Sequence, residues 1–220
     1  MKDIFLDLLF PNRCLDCNKI IENNLIVCNI CFEKIQFTHF DYFEENTLKE
    51  ICKTLFPVEN AYALMQFEKE SLSRKIIHEL KYKNREITGK ILADWITERV
   101  DFKNEKPDLI VSIPLHKKKL KERGYNQLHL FAETLSEFYN IAFDHEVILR
   151  NSYSKAQALK DKTNRLSTEN IFSLNKNISE KHILLVDDVF TTGNTIATVA
   201  WEILKAGNNK VSVLVMAIDK

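Results

Sequence analysis

Glycine and proline are scarce in this 220-residue chain, with four of each. That excludes collagen-like repeats and low-complexity linkers and leaves few obligatory sharp turns. No uncharged apolar run approaches the roughly 18 residues that a membrane-spanning helix needs, so no integral membrane association and a cytoplasmic location are expected. Net charge is also missing. The 31 Lys and Arg are matched by 31 Asp and Glu, which argues against a protein that coats nucleic acid by bulk electrostatics. Five cysteines are too few for a disulfide scaffold at this length. The Walker pattern GxxxxGK[ST] is absent, and no Ser–His–Asp or Cys–His arrangement is supported by spacing alone.

What is present is a chain with 45% hydrophobic residues, enough for a real core in one medium domain behind a small module. The charge is uneven along it. Residues 1–60 hold 6 basic and 10 acidic side chains, so a polyanion site is expected in the C-terminal part. At the start, Ile4, Phe5, Leu8 and Leu9 share one helical face. An amphipathic docking helix is the plain reading, and binding to a membrane surface is the alternative.

Four cysteines fall in two CxxC pairs, Cys14 with Cys17 and Cys28 with Cys31. A two-residue gap lets both thiolates of a pair meet one ion, and two pairs complete a tetrahedral four-sulfur shell with no open position. A structural Zn2+ is expected there. Neither pair precedes a helix in a βαβ setting, as a thioredoxin-like thiol pair would. His39 could replace one ligand, although a lone His is more often a surface or packing residue. Cys52 reads as a small core residue.

The organisation expected is an N-terminal helix and zinc module over residues 1–45, a connector over 46–60 and a larger domain over 61–220. In that domain apolar strands (61–67, 109–113, 146–149, 183–186, 211–216) alternate with amphipathic helices (69–82, 88–100, 127–139, 195–206). This pattern predicts an α/β fold, a mostly parallel sheet with helices on both faces.

The most informative run is ILLVDDVFTTGNTI, residues 183–196. A buried strand ends in two acids, and TTGNT then leads into a helix. Such a turn offers backbone N–H groups and hydroxyls from Thr191, Thr192, Gly193, Asn194 and Thr195 to one phosphate, with the helix dipole in support. Asp187 and Asp188 alternate in side-chain direction, so at least one reaches the vicinal hydroxyls of a sugar. Carboxylates also suit a divalent cation held through oxygen ligands. Phosphate at one end and diol acceptors beside it describe a ribose 5-phosphate site; the plainer alternative is a capped helix after a strand with two solvated acids.

Together with the two CxxC pairs, ELKYK (79–83), IPLHKKKLKERGYNQ (113–127) and Gln157, this run resembles the ComF family in its ComFC-like members. The resemblance covers nearly the whole chain. It implies a type I phosphoribosyltransferase-like fold behind a zinc-binding module, and an association with DNA uptake in natural competence. It also implies that Asp187 and Asp188 contact the ribose hydroxyls of 5-phosphoribosyl 1-pyrophosphate (PRPP), with Mg2+. The five residues from Thr191 to Thr195 would hold its 5-phosphate, and Pro114, Leu115 and His116 its pyrophosphate. The chain departs from the family after Gln157: Lys160 stands where Leu is usual, and Asn170 follows Arg165 by five residues.

Residues 117–123, KKKLKER, carry five positive charges and one negative. With Lys81 and Lys83 they read as a polyanion site for pyrophosphate, for a nucleic-acid backbone, or for both; the alternative is a solvated lysine-rich helix start. For single-stranded DNA, Lys117, Lys118 and Lys119 would meet phosphates and Tyr125 would stack on a base. Arg123, beside Gly124 and Asn126, fits bidentate phosphate recognition. His116 is either a donor to pyrophosphate or a surface residue. Three functions follow: Mg2+-assisted phosphoribosyl transfer to an unspecified acceptor, single-stranded DNA binding on the same fold, or an adapter whose N-terminal helix and zinc module dock another DNA-uptake protein.

Overall fold

The computed structural model describes residues 11–82, 87–151 and 171–219. The expected helix around Ile4 to Leu9, Lys83, Gln157, Lys160, Arg165 and Asn170 lie outside the described residues. In chain order the elements are α1 (Asn29–Phe32), α2 (Thr47–Leu55), β1 (Ala61–Gln66), α3 (Leu72–Tyr82), α4 (Ile87–Thr97), β2 (Leu109–Ser112) and α5 (Lys117–Arg123). They continue with α6 (His129–Tyr139), β3 (Ala142–Phe143), β4 (Ile148–Arg150), β5 (Phe172–Leu174), β6 (His182–Phe190), α7 (Asn194–Lys205) and β7 (Lys210–Ile218).

Five strands form one sheet in the order β1-β7-β6-β2-β3, parallel throughout, while β4 and β5 form an antiparallel pair. The near-continuous apolar character of β6 and β7 reflects burial on both faces; residues 183–186 and 211–218 are buried without interruption. From β2 the chain crosses outward through α6 to β3. From β6 it crosses the other way through α7 to β7. Right-handed crossovers in opposite directions put α6 and α7 on opposite faces. The loops after β2 and β6 therefore diverge at one point, between adjacent strands. A crevice at the carboxyl ends of such strands is where ligands enter open α/β sheets.

The edge strand β1 is not left bare. Residues leaving the zinc module run along it, with Thr38 N–H donating to the Leu64 carbonyl at 3.0 Å and Gln66 N–H donating to that of Gln36 at 2.8 Å. Phe32 and Phe37 pack edge-on to Trp95 of α4, and the Arg99 guanidinium lies 4.3 Å from the Phe37 ring centroid. The stretch read as a connector contains α2, which begins where the Asn46 side chain accepts the Lys49 N–H at 3.0 Å. Its buried face (Leu48, Cys52) packs on β1, and its end meets α7. Cys52 is fully buried, as expected, and burial pushes its thiol up to about 12.

Candidate functional site

The strand carrying the two acids is longer than its apolar core suggests. β6 pairs with β2 only as far as Val186, opposite Ser112, but with β7 as far as Phe190, opposite Ile218. Asp187 and Asp188 thus lie within β6 rather than after it, in the part where β2 has already turned away. The missing neighbour opens the crevice at the acids.

Asp188 is buried at 8% exposure and fully engaged. Lys81 near the end of α3 places its Nζ 3.0 Å from Oδ1, and Gln127 Nε2 donates to Oδ2 at 2.7 Å. Behind it, Arg123 Nη1 donates to Gln127 Oε1 at 2.6 Å. Arginine can only donate and an ionised carboxylate can only accept, so this line fixes the orientation of the Gln127 amide. Asp187 accepts the Asp188 N–H at 2.8 Å. Burial, reinforced by repulsion from Asp188, raises its carboxyl from 3.8 to about 8, against the opposing pull of that N–H, Lys81 and Arg150. The crevice therefore holds one well-neutralised carboxylate and one that retains its proton more readily.

The loop after β6 has the conformation that its sequence suggests. Gly193 adopts φ +74 and is the N-cap of α7. A Cβ there would lie 2.6 Å from both Leu55 Cδ1 and Phe190 Cζ, so the position needs glycine for space as well as for dihedral. Glycine brings no capping side chain, and the first-turn N–H groups of α7 stay available to an anion. Thr191, Thr192, Asn194 and Thr195 are exposed around them.

Pro114, Leu115 and His116 form the partly buried turn between β2 and α5. His116 Nδ1 accepts the Lys118 N–H at 3.1 Å and so caps α5, which leaves Nε2 as the ring's donor. KKKLKER is a helix from end to end, closed by Gly124 at φ +77. Lys118, Lys119 and Lys121 are exposed, and Lys118 approaches Glu122 only to 3.9 Å. Tyr125 is half-buried and its hydroxyl donates to the Leu80 carbonyl, which ties the loop after α5 to α3 one residue before Lys81. A cleft of about 420 Å3 lies beside it, lined by Gly124, Tyr125, Gln127 and His129 among others.

The structure thus brings Lys81, Arg123, Asp187 and Asp188 together. Gln127 at the centre of this group received no role from sequence. A signal for it is present in the sequence: Gln127, Phe131 and Leu135 recur every four residues into α6, although Gln127 itself lies in the turn before that helix, and all three are buried.

In the cysteine module, the sulfurs of Cys14, Cys17, Cys28 and Cys31 all lie within 4.8 Å of one another. The Cys17–Cys28 sulfur separation is 3.7 Å, close to the edge of about 3.8 Å for a tetrahedron with Zn–S near 2.3 Å. Burial raises the Cys14 thiol, but the backbone N–H groups of Cys17, Cys28 and Asp16 outweigh it and bring it down to about 6. These residues fit a structural Zn2+, and His39 is exposed outside the cluster. Asp187 and Asp188 carry the oxygen-donor type that Mg2+ takes, but a cation there would have to displace Lys81 from Asp188 and the proton from Asp187. Among the described residues no helix is long and apolar enough to cross a membrane.

Comparison with known proteins gives two family matches: a phosphoribosyl transferase domain over residues 79–220 and a double zinc ribbon domain over residues 5–42. The chain is 31% identical over 144 residues to the DNA utilization protein YhgH of Escherichia coli O157:H7, covering 63% of each chain. It is 34% identical over 150 residues to the competence protein ComFC of Bacillus subtilis (strain 168), covering 67% of this chain and 58% of that one. It is also 32% identical over 111 residues to competence protein F of Haemophilus influenzae (strain ATCC 51907 / DSM 11121 / KW20 / Rd), covering 49% and 48%. The matched segment is less than two thirds of the length of each of these relatives.

Proposed function

Since this chain belongs to the phosphoribosyl transferase domain family, behind a double zinc ribbon, we propose that its crevice binds PRPP or a related phosphoribosyl ligand together with Mg2+, in the service of DNA uptake or use. The observation that carries the reading is the junction of β6 with α7, where a stepped strand end presents Asp187 and Asp188 beside a glycine-capped, hydroxyl-rich helix start. The exposed hydroxyls and N–H groups of residues 191–195 take the 5-phosphate, and the acids take the ribose diol. The turn at Pro114, Leu115 and His116, with Lys81 and Arg123, faces the pyrophosphate. Mg2+, when bound, would offset pyrophosphate charge and hold its oxygens. Fixing both ends of the ligand this way is the positioning that phosphoribosyl transfer to an acceptor requires.

Calorimetric titration of zinc-loaded protein with PRPP and Mg2+ tests this. Binding that the Asp187→Asn/Asp188→Asn variant loses supports the reading, and absence of binding to the intact protein overturns it.

A second reading concerns α5. Its exposed Lys118, Lys119 and Lys121 form a basic surface beside the crevice, and two relatives are named for competence and one for DNA utilization. Single-stranded DNA bound there would show a steep salt dependence. Charge reversal of Lys117, Lys118 and Lys119 to Glu should abolish it; unchanged binding would remove this surface from consideration.

A further inference from the structure

The two oxygens of Asp188 are held unequally. On Oδ2, Gln127 is 3% exposed and is braced from behind by Arg123. On Oδ1, the Lys81 ammonium sits 3.0 Å away at the tip of a long side chain that is 22% exposed. One contact is built into the fold, and the other can be given up.

Resting on the phosphoribosyl reading above, we propose that Lys81 is an exchangeable latch that selects sugars with anionic groups at both ends, and that Gln127 is the positioning residue that keeps Asp188 aimed while the latch moves. In the ligand-free protein Lys81 neutralises Asp188. A ligand that reaches Asp188 must displace it, and separating a largely buried pair with nothing in exchange strands a charge in a poorly solvated site. Ribose 5-phosphate brings one anion, and that anion is taken by the loop after β6, beyond the acid pair to which Lys81 is bound. It offers the displaced ammonium nothing. A sugar carrying a diphosphate at C1 with a divalent cation supplies both missing parts: the cation faces the carboxylate and the diphosphate receives the lysine. The exchange leaves no charge unmatched. The latch thus discriminates by charge at the far end of the sugar, a distinction that the phosphate loop alone cannot make.

The latch predicts opposite effects of one substitution. Lys81→Met should weaken PRPP by roughly tenfold, the scale of one charge-assisted contact. The same change should tighten ribose 5-phosphate, and Mn2+ alone, by about threefold or more, because Asp188 is no longer pre-paired. Adding Asp188→Asn should remove that gain. Both sugars are titrated calorimetrically with Mg2+, and free Mn2+ is followed by electron paramagnetic resonance. A lysine that simply contacts pyrophosphate would lower PRPP affinity and leave the other two unchanged or weaker; that result overturns the latch. If the intact protein binds neither sugar, the phosphoribosyl reading falls and the latch with it; if it binds PRPP and Lys81→Met leaves ribose 5-phosphate and Mn2+ unchanged, the latch alone falls. For Gln127, replacement by Ala should weaken both sugars in parallel, unlike the opposite shifts of Lys81→Met, and the comparison is made well below the lowered melting temperature that loss of a buried hydrogen-bonding side chain brings. Opposite shifts of the two sugars in Gln127→Ala, or wild-type affinity for both, would overturn its positioning role.

Discussion

Lys75, near the start of α3, reaches Asp16 in the first cysteine knuckle at 2.7 Å. Asp16 also accepts from Lys34 at 2.9 Å, within its own module. One carboxylate thus joins the zinc module to itself and to the helix that later presents Lys81. Lys75 holds Asp16 well below the ordinary carboxylate range, with Lys34 second.

Because Lys75 is about half exposed, Lys75→Met is expected to cost only about 0.5–1 kcal/mol. Asp16→Asn should cost more, as it removes both partners. A depressed carboxyl contributes stability above its ordinary value and loses it as the pH falls below, so both comparisons belong near pH 7. Urea unfolding at low and high salt checks them: the Lys75→Met difference should shrink in about 1 M NaCl, where screening is short-ranged.

Removing the zinc should act through Trp95. This ring packs against Phe32 and Phe37, both attached to the module. Chelation is expected to release one Zn2+ per chain, to make four thiols reactive, and to shift Trp95 emission to longer wavelength in a Trp201→Phe background. Cys52 should stay unreactive until the whole chain unfolds, since it is buried and its thiol is pushed up to about 12. A fifth thiol reacting in step with the other four would contradict this placement.

Asp187→Asn should stabilise the ligand-free protein at neutral pH. With its carboxyl raised from 3.8 to about 8 in the fold, the native state holds a proton that the unfolded chain releases. Stability is therefore full below about 3.8 and declines as pH rises through about 8. The Asn variant lacks that decline. Chemical unfolding at pH 5, 7 and 9 should show the wild type losing stability relative to the variant, and equal slopes would contradict the assignment.

Gly193→Ala is expected to be severe for one methyl group. It combines a positive φ with two heavy-atom approaches of 2.6 Å, and the loss should be about 2 kcal/mol or more. Leu55→Ala in the same chain should recover part of it by removing one of the clashing atoms. A melting series of the two single variants and the double variant measures the recovery.

Much of this fold could be read from residue patterns. The strands at 61–66 and 109–112 and the helix at 194–205 emerge from apolar runs, amphipathic spacing and the glycine punctuation, because burial of one face decides them. The full length of β6 does not, since Asp187 and Asp188 interrupt the apolar run while the backbone pairing with β7 continues past them. Helix α2 was hidden because its acidic, aromatic surroundings resemble a linker; its partners lie far away in sequence, on β1 and α7. Among site residues, the cysteines and the TTGNT loop are local signals and were legible. Gln127 takes its meaning from Asp188, 61 positions further on, and only the sheet topology brings the two together.

Helix α2 has one more consequence. Its last residue, Leu55, accepts the Trp201 indole N–H at 3.0 Å through its carbonyl, and its side chain lies where any Cβ on Gly193 would go. The same helix begins at Asn46, whose amide donates to the Ala61 carbonyl at 2.9 Å. The floor of the loop at residues 191–193 is thus laid by residues between the zinc module and the first strand, so heat or denaturant should melt the chain in a single transition, with the loop and the zinc module losing their structure together.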